Sequence, residues 1–145
     1  MKRLSYFVFL VPPLVLAAIG HARAATPILT VTQVMHGGQT VTSAADVTLR
    51  GLDGHVLQQG IHDGEALPND VDVEVPAGDT VVITAPNGQD TITLQAGSAA
   101  TFHYTGTLES VAVGQGRVDV HDSLGFFSHV SSHETVITSP SGNPE

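Results

Sequence analysis

The sequence predicts an all-β protein: a solenoid-like or sandwich-like stack of short antiparallel strands, with no substantial helix beyond residue 24. First, apolar residues recur at every second position in most apolar segments, which is the period of a β-strand. Second, turn residues, mainly Gly, Asn and Asp, interrupt these segments about every 8 to 12 residues. This rhythm suits a sandwich, a barrel or a solenoid, and spacing alone leaves all three open.

The candidate strands follow one another along a single domain that we place at residues 25–138. Asp53-Gly54 and Asn87-Gly88 accept positive φ angles and therefore predict tight hairpin turns. Residues 139–145 are rich in Pro, Ser and Gly and are expected to form a flexible tail. The segments predicted as strands are 28–35, 47–52, 55–61, 70–75, 80–85, 90–94, 101–104, 109–113, 117–120, 126–130 and 134–138.

The N-terminus has the three regions of a secretory signal peptide. Lys2 and Arg3 precede an apolar run over residues 7–20, and Ala22-Arg23-Ala24 forms a small-x-small cleavage pattern. The apolar run is shorter than the roughly 20 residues that a membrane span needs. We therefore expect cleavage after residue 24, export to the periplasm or the extracellular space, and no stable membrane insertion afterwards.

Removal of residues 1–24 would leave a strongly acidic chain. Two arginines would then face 14 carboxylates, which leaves a net charge of −12 with histidines neutral. Such a surface repels phosphate backbones and anionic lipids, so nucleic acid is not expected as a partner. With no cysteine, the exported chain cannot use disulfides and must rely on a hydrophobic core.

The stretch DVDVEV places acids and valines in strict alternation. Because successive side chains of a strand point to opposite faces, the valines should enter the core and Asp70, Asp72 and Glu74 should share the other face. We predict these three acids as a partner-binding face for a protein of the cell envelope. Binding would use charge complementarity with this face, or addition of a strand to a sheet edge.

One family resemblance covers residues 46–136. The order VEVPAGDTVVITAPNGQDTITLQAGSAATF, followed by LESVAVGQGRVDV, resembles the FecR domain, the exported half of ferric-citrate-type transport regulators. The positions that match are Gly78-Asp79, Asn87-Gly88, Gly97-Ser98 and 114–120. The resemblance implies an all-β, solenoid-like domain outside the cytoplasm that binds proteins or ligands, with no catalytic residues to transfer. A full regulator also has a cytoplasmic segment and a membrane span, so a stand-alone or shortened relative is expected.

A second resemblance is to cupin-type jelly rolls, through VPAGD and SVAVGQGRVDV. Metal-binding cupins need a His-x-His pair, which this chain lacks, so this alternative implies a metal-free binding barrel.

A further alternative is a histidine-dependent metal site, with His121, His129 and His133 as candidates. His129 and His133 would lie about 13 Å apart on one strand, too far for one metal ion unless a turn brings them together. We therefore expect no cofactor, and in the absence of a nucleophile motif we expect no enzyme.

Overall fold

The structure, a computed structural model, describes residues 29–85, 88, 90–104, 108–121 and 127–137. These residues form thirteen β-strands and, within those ranges, no helix, so the predicted all-β class is confirmed. The predicted signal peptide, 1–24, and the predicted tail, 139–145, lie outside the described residues. The strands are β1 (Leu29–His36), β2 (Gln39–Val41), β3 (Ser43–Gly51), β4 (Val56–His62), β5 (Ala66–Leu67), β6 (Val71–Glu74), β7 (Asp79–Thr84), β8 (Thr91–Leu94), β9 (Ala99–Tyr104), β10 (Leu108–Gln115), β11 (Arg117–His121), β12 (Phe127–Ser131) and β13 (Thr135–Ile137).

The strands form two antiparallel sheets in a sandwich-like stack. Sheet A has the strand order β12-β11-β8-β7-β1-β2, with β5 paired to β1, and sheet B has the order β13-β10-β9-β6-β3-β4. The β7–β8 hairpin belongs to sheet A, the β9–β10 hairpin to sheet B and the β11–β12 hairpin to sheet A again. From β7 onwards, successive hairpins therefore extend the two sheets alternately. Of the architectures that the strand spacing left open, this arrangement is the sandwich-like stack.

One hydrophobic core fills the space between the sheets. Val81 and Ile83 of β7 are fully buried, and the threonines and the valine that alternate with them are half-buried on the outer face. Val73 of β6 and Phe102 of β9 enter the same core from sheet B. Phe102 is the largest of the fully buried side chains, and most of the others are Val, Ile or Leu. The core is thus built from small side chains, as the scarcity of aromatic residues requires.

A glycine makes the tight passage between β10 and β11. Gly116 has a φ of 75°, in the left-handed region that residues with a Cβ avoid. A Cβ at this position would lie 2.7 Å from the Cα of Ser98 and 2.8 Å from the carbonyl oxygen of Gly97. Both the backbone angle and the packing therefore require glycine here.

The β3–β4 hairpin forms one edge of sheet B and presents apolar side chains to solvent. Leu52 is 70% exposed, Val56 53% and Leu57 60%. The pairing of β3 with β4 shifts register twice, and Gly60 has a φ of 83°. Such irregularities bend an edge strand and disfavour the addition of another strand.

No helix able to cross a membrane occurs in the part of the chain that the structure describes.

Candidate functional site

Two of the three acids of the predicted partner-binding face lie on sheet B, and the third lies just before it. Asp72 and Glu74 project from the outer face of β6, whose Val71 and Val73 are fully buried, so the predicted alternation is confirmed. Asp70 lies in the turn that leads into β6. Because β6 lies between β9 and β3, Asp72 and Glu74 are half-buried in the middle of the sheet.

Asp70 is held by neighbouring side chains in a conformation that is rare outside glycine. Its φ is 55°, in the left-handed region that Asp and Asn tolerate better than most residues. Its Oδ1 lies 2.6 Å from Nδ1 of His103 on β9. The backbone N–H of Tyr104 donates to Oδ1 of Asn69 over 2.8 Å. These two contacts attach the turn before β6 to β9 and fix the position of Asp70.

Glu74 forms an ion pair with the arginine of the adjacent strand. Nε of Arg50 lies 2.9 Å from Oε1 of Glu74, and this hydrogen bond, with the charge of Glu74, raises the pKa of Arg50 above its ordinary value. Outside residues 1–24 the sequence contains just one other arginine, Arg117, and no lysine. Arg117 belongs to sheet A, so Arg50 supplies the permanent positive charge of the sheet B face.

Asp72 has a weaker partner than the other two acids. Its Oδ1 lies 3.5 Å from the hydroxyl of Thr101, the upper limit of a hydrogen bond. Burial, and then repulsion from Glu74, raise the pKa of Asp72 above its ordinary value, against the opposing effects of Thr101 and Arg50. A cation placed next to this carboxylate would therefore relieve an electrostatic cost that the fold leaves in place.

An open groove crosses the outer face of sheet B at the level of Asp72. Four successive strand pairings line up one residue from each of five strands, so the row spans about 19 Å at roughly 4.8 Å per strand. The groove above this row has a volume of ≈ 430 Å³. The row runs Arg50, Asp72, Thr101, Ala112, Thr135.

Small residues form the floor of the groove and two turns form its walls. Ala112 and Gly114 of β10 leave the floor open. Leu52, in the β3–β4 turn, stands at one end, and His133 and Glu134, in the β12–β13 turn, stand at the other. The walls thus combine an exposed apolar side chain with ionisable groups.

A second depression lies beside the first, farther along the strands. It has a volume of ≈ 310 Å³ and includes Asp46, Thr48 and Gln115 in its lining. Glu74 lines this depression, whereas its ion-pair partner Arg50 lines the first groove. The Arg50–Glu74 ion pair therefore lies between the two depressions.

The three histidines considered as metal ligands do not share one site. His121 and His129 lie on the outer face of sheet A, on β11 and β12, whereas His133 lies at the groove of sheet B. His133 has a φ of 70°, and its backbone N–H donates to the carbonyl of Val113 over 2.8 Å. Within the described ranges, no three His, Asp or Glu side chains form a group that could hold a metal ion.

A polar cluster that was not predicted from the sequence surrounds Asp119 on sheet A. The carboxylate of Asp119 accepts hydrogen bonds from Nε of Arg117 at 3.1 Å and from Nε2 of Gln95 at 2.8 Å, and it also contacts Nδ1 of His129. Burial alone would raise the pKa of Asp119, but the hydrogen bonds from His129, Gln95 and Arg117 lower it below its ordinary value. The alternation Arg-x-Asp on β11 places two of these groups on one face, whereas His129 joins them through the register of β11 with β12.

Comparisons of the chain with protein-family models, with curated proteins and with solved structures find no match. The resemblance to the FecR domain and the cupin alternative therefore stay predictions. Chemically, the sheet B groove offers carboxylates, hydroxyls and a small apolar surface. These groups suit ion pairing and hydrogen bonding to a polar or basic partner.

Proposed function

We propose that this protein is an exported, non-catalytic binding domain, resembling the FecR sensor domain, that acts in envelope signalling or ligand sensing. It would bind a protein of the cell envelope, in the periplasm or outside the cell, through the outer face of sheet B. Asp70, Asp72 and Glu74 would form the centre of the binding face. The observation that carries the proposal is the groove across this face, with the incompletely compensated carboxylate of Asp72 in its row of residues.

Charge supports a basic protein surface as the partner. The strongly acidic composition repels nucleic acid and anionic lipid. It attracts positively charged patches of other proteins over distances up to the Debye length, which the salt concentration sets. The groove has two carboxylates, Asp72 and Glu134, and one arginine, Arg50, in its lining. Since Arg50 already pairs with Glu74, the charge that remains available to a partner is negative.

The structure also bears on how the partner would bind. Strand addition would need a regular free edge, and the longest edge strand is β4, at the end of sheet B. The register shifts and the positive φ of Gly60 make this strand irregular. Recognition through the charged groove is therefore the version of the proposal that we favour.

Affinity capture from envelope extracts tests this proposal. The exported form of the protein serves as bait, and captured proteins are identified by mass spectrometry with and without a chelator. We expect a reproducible partner whose recovery falls with Asp72→Asn and with Glu74→Gln. The matched control, Asp63→Asn, removes the same charge from the exposed β4–β5 turn and should leave recovery unchanged.

Two results would contradict the proposal. Recovery of the same partner at the same level with all three variants would show that the acidic face is not used. Loss of the partner on chelation, together with metal in the purified protein, would support the histidine-dependent alternative instead.

A further inference from the structure

We propose that the sheet B groove receives an arginine side chain, presented by an extended segment of the partner protein. This inference rests on the proposed function and specifies the chemistry of recognition. Asp72 would accept the guanidinium group, and Leu52 would contact the aliphatic part of the incoming side chain. The inference is carried by the shape of the groove and by the arrangement of its charges.

The shape suits an extended chain with one inserted side chain. The row of residues across five strands spans about 19 Å, which corresponds to five or six extended residues at about 3.3 Å each. Ala112 and Gly114 leave the floor without long side chains, so a partner side chain can reach the sheet surface. The turns that carry Leu52 and Glu134 bound this space at its two ends.

The charges favour a cation at Asp72. Arg50, the neighbour of Asp72 in the row, already pairs with Glu74 over 2.9 Å. Asp72 is left with the 3.5 Å contact to Thr101. Glu134, at the far end, accepts the backbone N–H of Ser131 over 2.8 Å through one oxygen, and a carboxylate has further lone pairs for another donor.

Arginine fits this position better than lysine. The guanidinium group is more weakly hydrated than an ammonium group and loses less on entering a half-buried site. It also binds a carboxylate through two parallel hydrogen bonds, whereas an ammonium acts as a point charge. Leu52, 70% exposed at the wall, provides apolar surface for the methylene groups of the arginine.

A peptide titration tests this inference directly. The isotope-labelled exported protein is titrated with acetyl-Ser-Gly-Arg-Gly-Ser-amide and followed by amide chemical shifts. The control probe replaces the arginine by citrulline, a neutral side chain of almost the same shape. We expect saturable shifts at Asp72, Thr101 and Glu134 with the arginine peptide, and affinity lower by about tenfold or more with the citrulline peptide, since charge-assisted hydrogen bonds are roughly twice as strong as neutral ones.

Three variants test whether peptide binding depends on the groove or on the overall negative charge of the protein. Asp72→Asn removes the proposed charge, and Ala112→Tyr fills the floor from an exposed position without changing any charge. Each of these two substitutions should lower the affinity for the arginine peptide by about tenfold or more. Asp63→Asn should leave the affinity unchanged. Retained native amide spectra establish that each variant folds.

The outcomes distinguish this inference from the proposed function. Equal affinity for the arginine and citrulline peptides, or an Asp72→Asn affinity equal to that of Asp63→Asn, would overturn the inference. Capture of the envelope partner by Ala112→Tyr at the unaltered level would also overturn it while leaving the proposed function intact. Failure to capture any partner, with the peptide results as expected, would count against the proposed function alone.

Discussion

Asp119 should stabilise the fold in a pH-dependent way. Its half-buried carboxylate accepts hydrogen bonds from Arg117 and Gln95 and contacts His129, and its pKa is lowered by these three groups. A hydrogen bond to a charged group contributes about 1.5–3 kcal/mol in general. Arg117 and His129 are each about half exposed, with side-chain exposures of 53% and 52%. When Asp119 is replaced, water therefore takes over much of the hydrogen bonding that these two side chains lose. We therefore expect Asp119→Asn to lower the free energy of unfolding by about 1–2 kcal/mol at neutral pH.

The lowered pKa sets the sign of the pH dependence. A carboxylate whose pKa in the folded state lies below its unfolded value stabilises the protein above the unfolded value, and this contribution disappears as the pH falls through the folded pKa. The ordinary value for Asp119 is 3.8. The difference between the native protein and Asp119→Asn should therefore be full at about pH 7 and should shrink steadily below about pH 4.

Urea denaturation followed by circular dichroism measures this difference. Native protein and variant are unfolded at about pH 7 and about pH 3. Their free energies of unfolding are compared after checking that the slope against urea concentration, the m value, is the same for both. Asp63→Asn, an exposed turn variant, serves as the control and should change stability by less than about 0.5 kcal/mol. An Asp119→Asn effect no larger than that of Asp63→Asn, or one equal at both pH values, would refute the reasoning.

Three further variants probe the core, a turn and the groove. Phe102→Ala should destabilise the protein by about 3–5 kcal/mol in urea unfolding because it leaves a cavity in the core, whereas Thr101→Ala, on the outer face of the same strand, should cost under about 1 kcal/mol. Gly116→Ala should lower the melting temperature more than Gly64→Ala. Both glycines have a positive φ, but a Cβ would clash with neighbouring backbone at Gly116 and would meet open space at Gly64. Asp72→Asn should raise the urea midpoint at neutral pH, because the raised pKa of Asp72 means that its charge opposes folding, and the gain should vanish below the ordinary pKa of 3.8. Equal costs on the two faces of β9, equal melting shifts for the two glycines, or a lowered midpoint for Asp72→Asn would each contradict the corresponding argument.

Some strands and side-chain faces could be predicted because they depend on local periodicity. The alternation in β6 assigned Val71 and Val73 to the core and Asp72 and Glu74 to the other face, and the structure agrees. The hairpin that joins β7 to β8 was predicted from Asn87-Gly88 between two apolar runs, and Ile83 does pair with Ile92. The two- and three-residue strands β5 and β2 were missed, because they lie in turn-rich segments where apolar residues do not alternate over several positions.

The sites depend on contacts between residues that are distant in sequence. Arg50 and Glu134 line the same groove although 84 positions separate them, and no local pattern connects β3 with the β12–β13 turn. His129 meets Asp119 through strand register, and a shift of one residue would turn it to the other face of the sheet.

The sequence by itself therefore determined the all-β class, the approximate positions of most strands and the face on which the acids lie, because alternation and turn chemistry are local properties of the chain. The tertiary structure decided which strands share a sheet, how Arg50 neutralises Glu74 while Asp72 is left with a weak partner, and where the groove lies. These features arise from the pairing of strands far apart in the sequence, and that pairing is selected by burial of the common core rather than by any single segment.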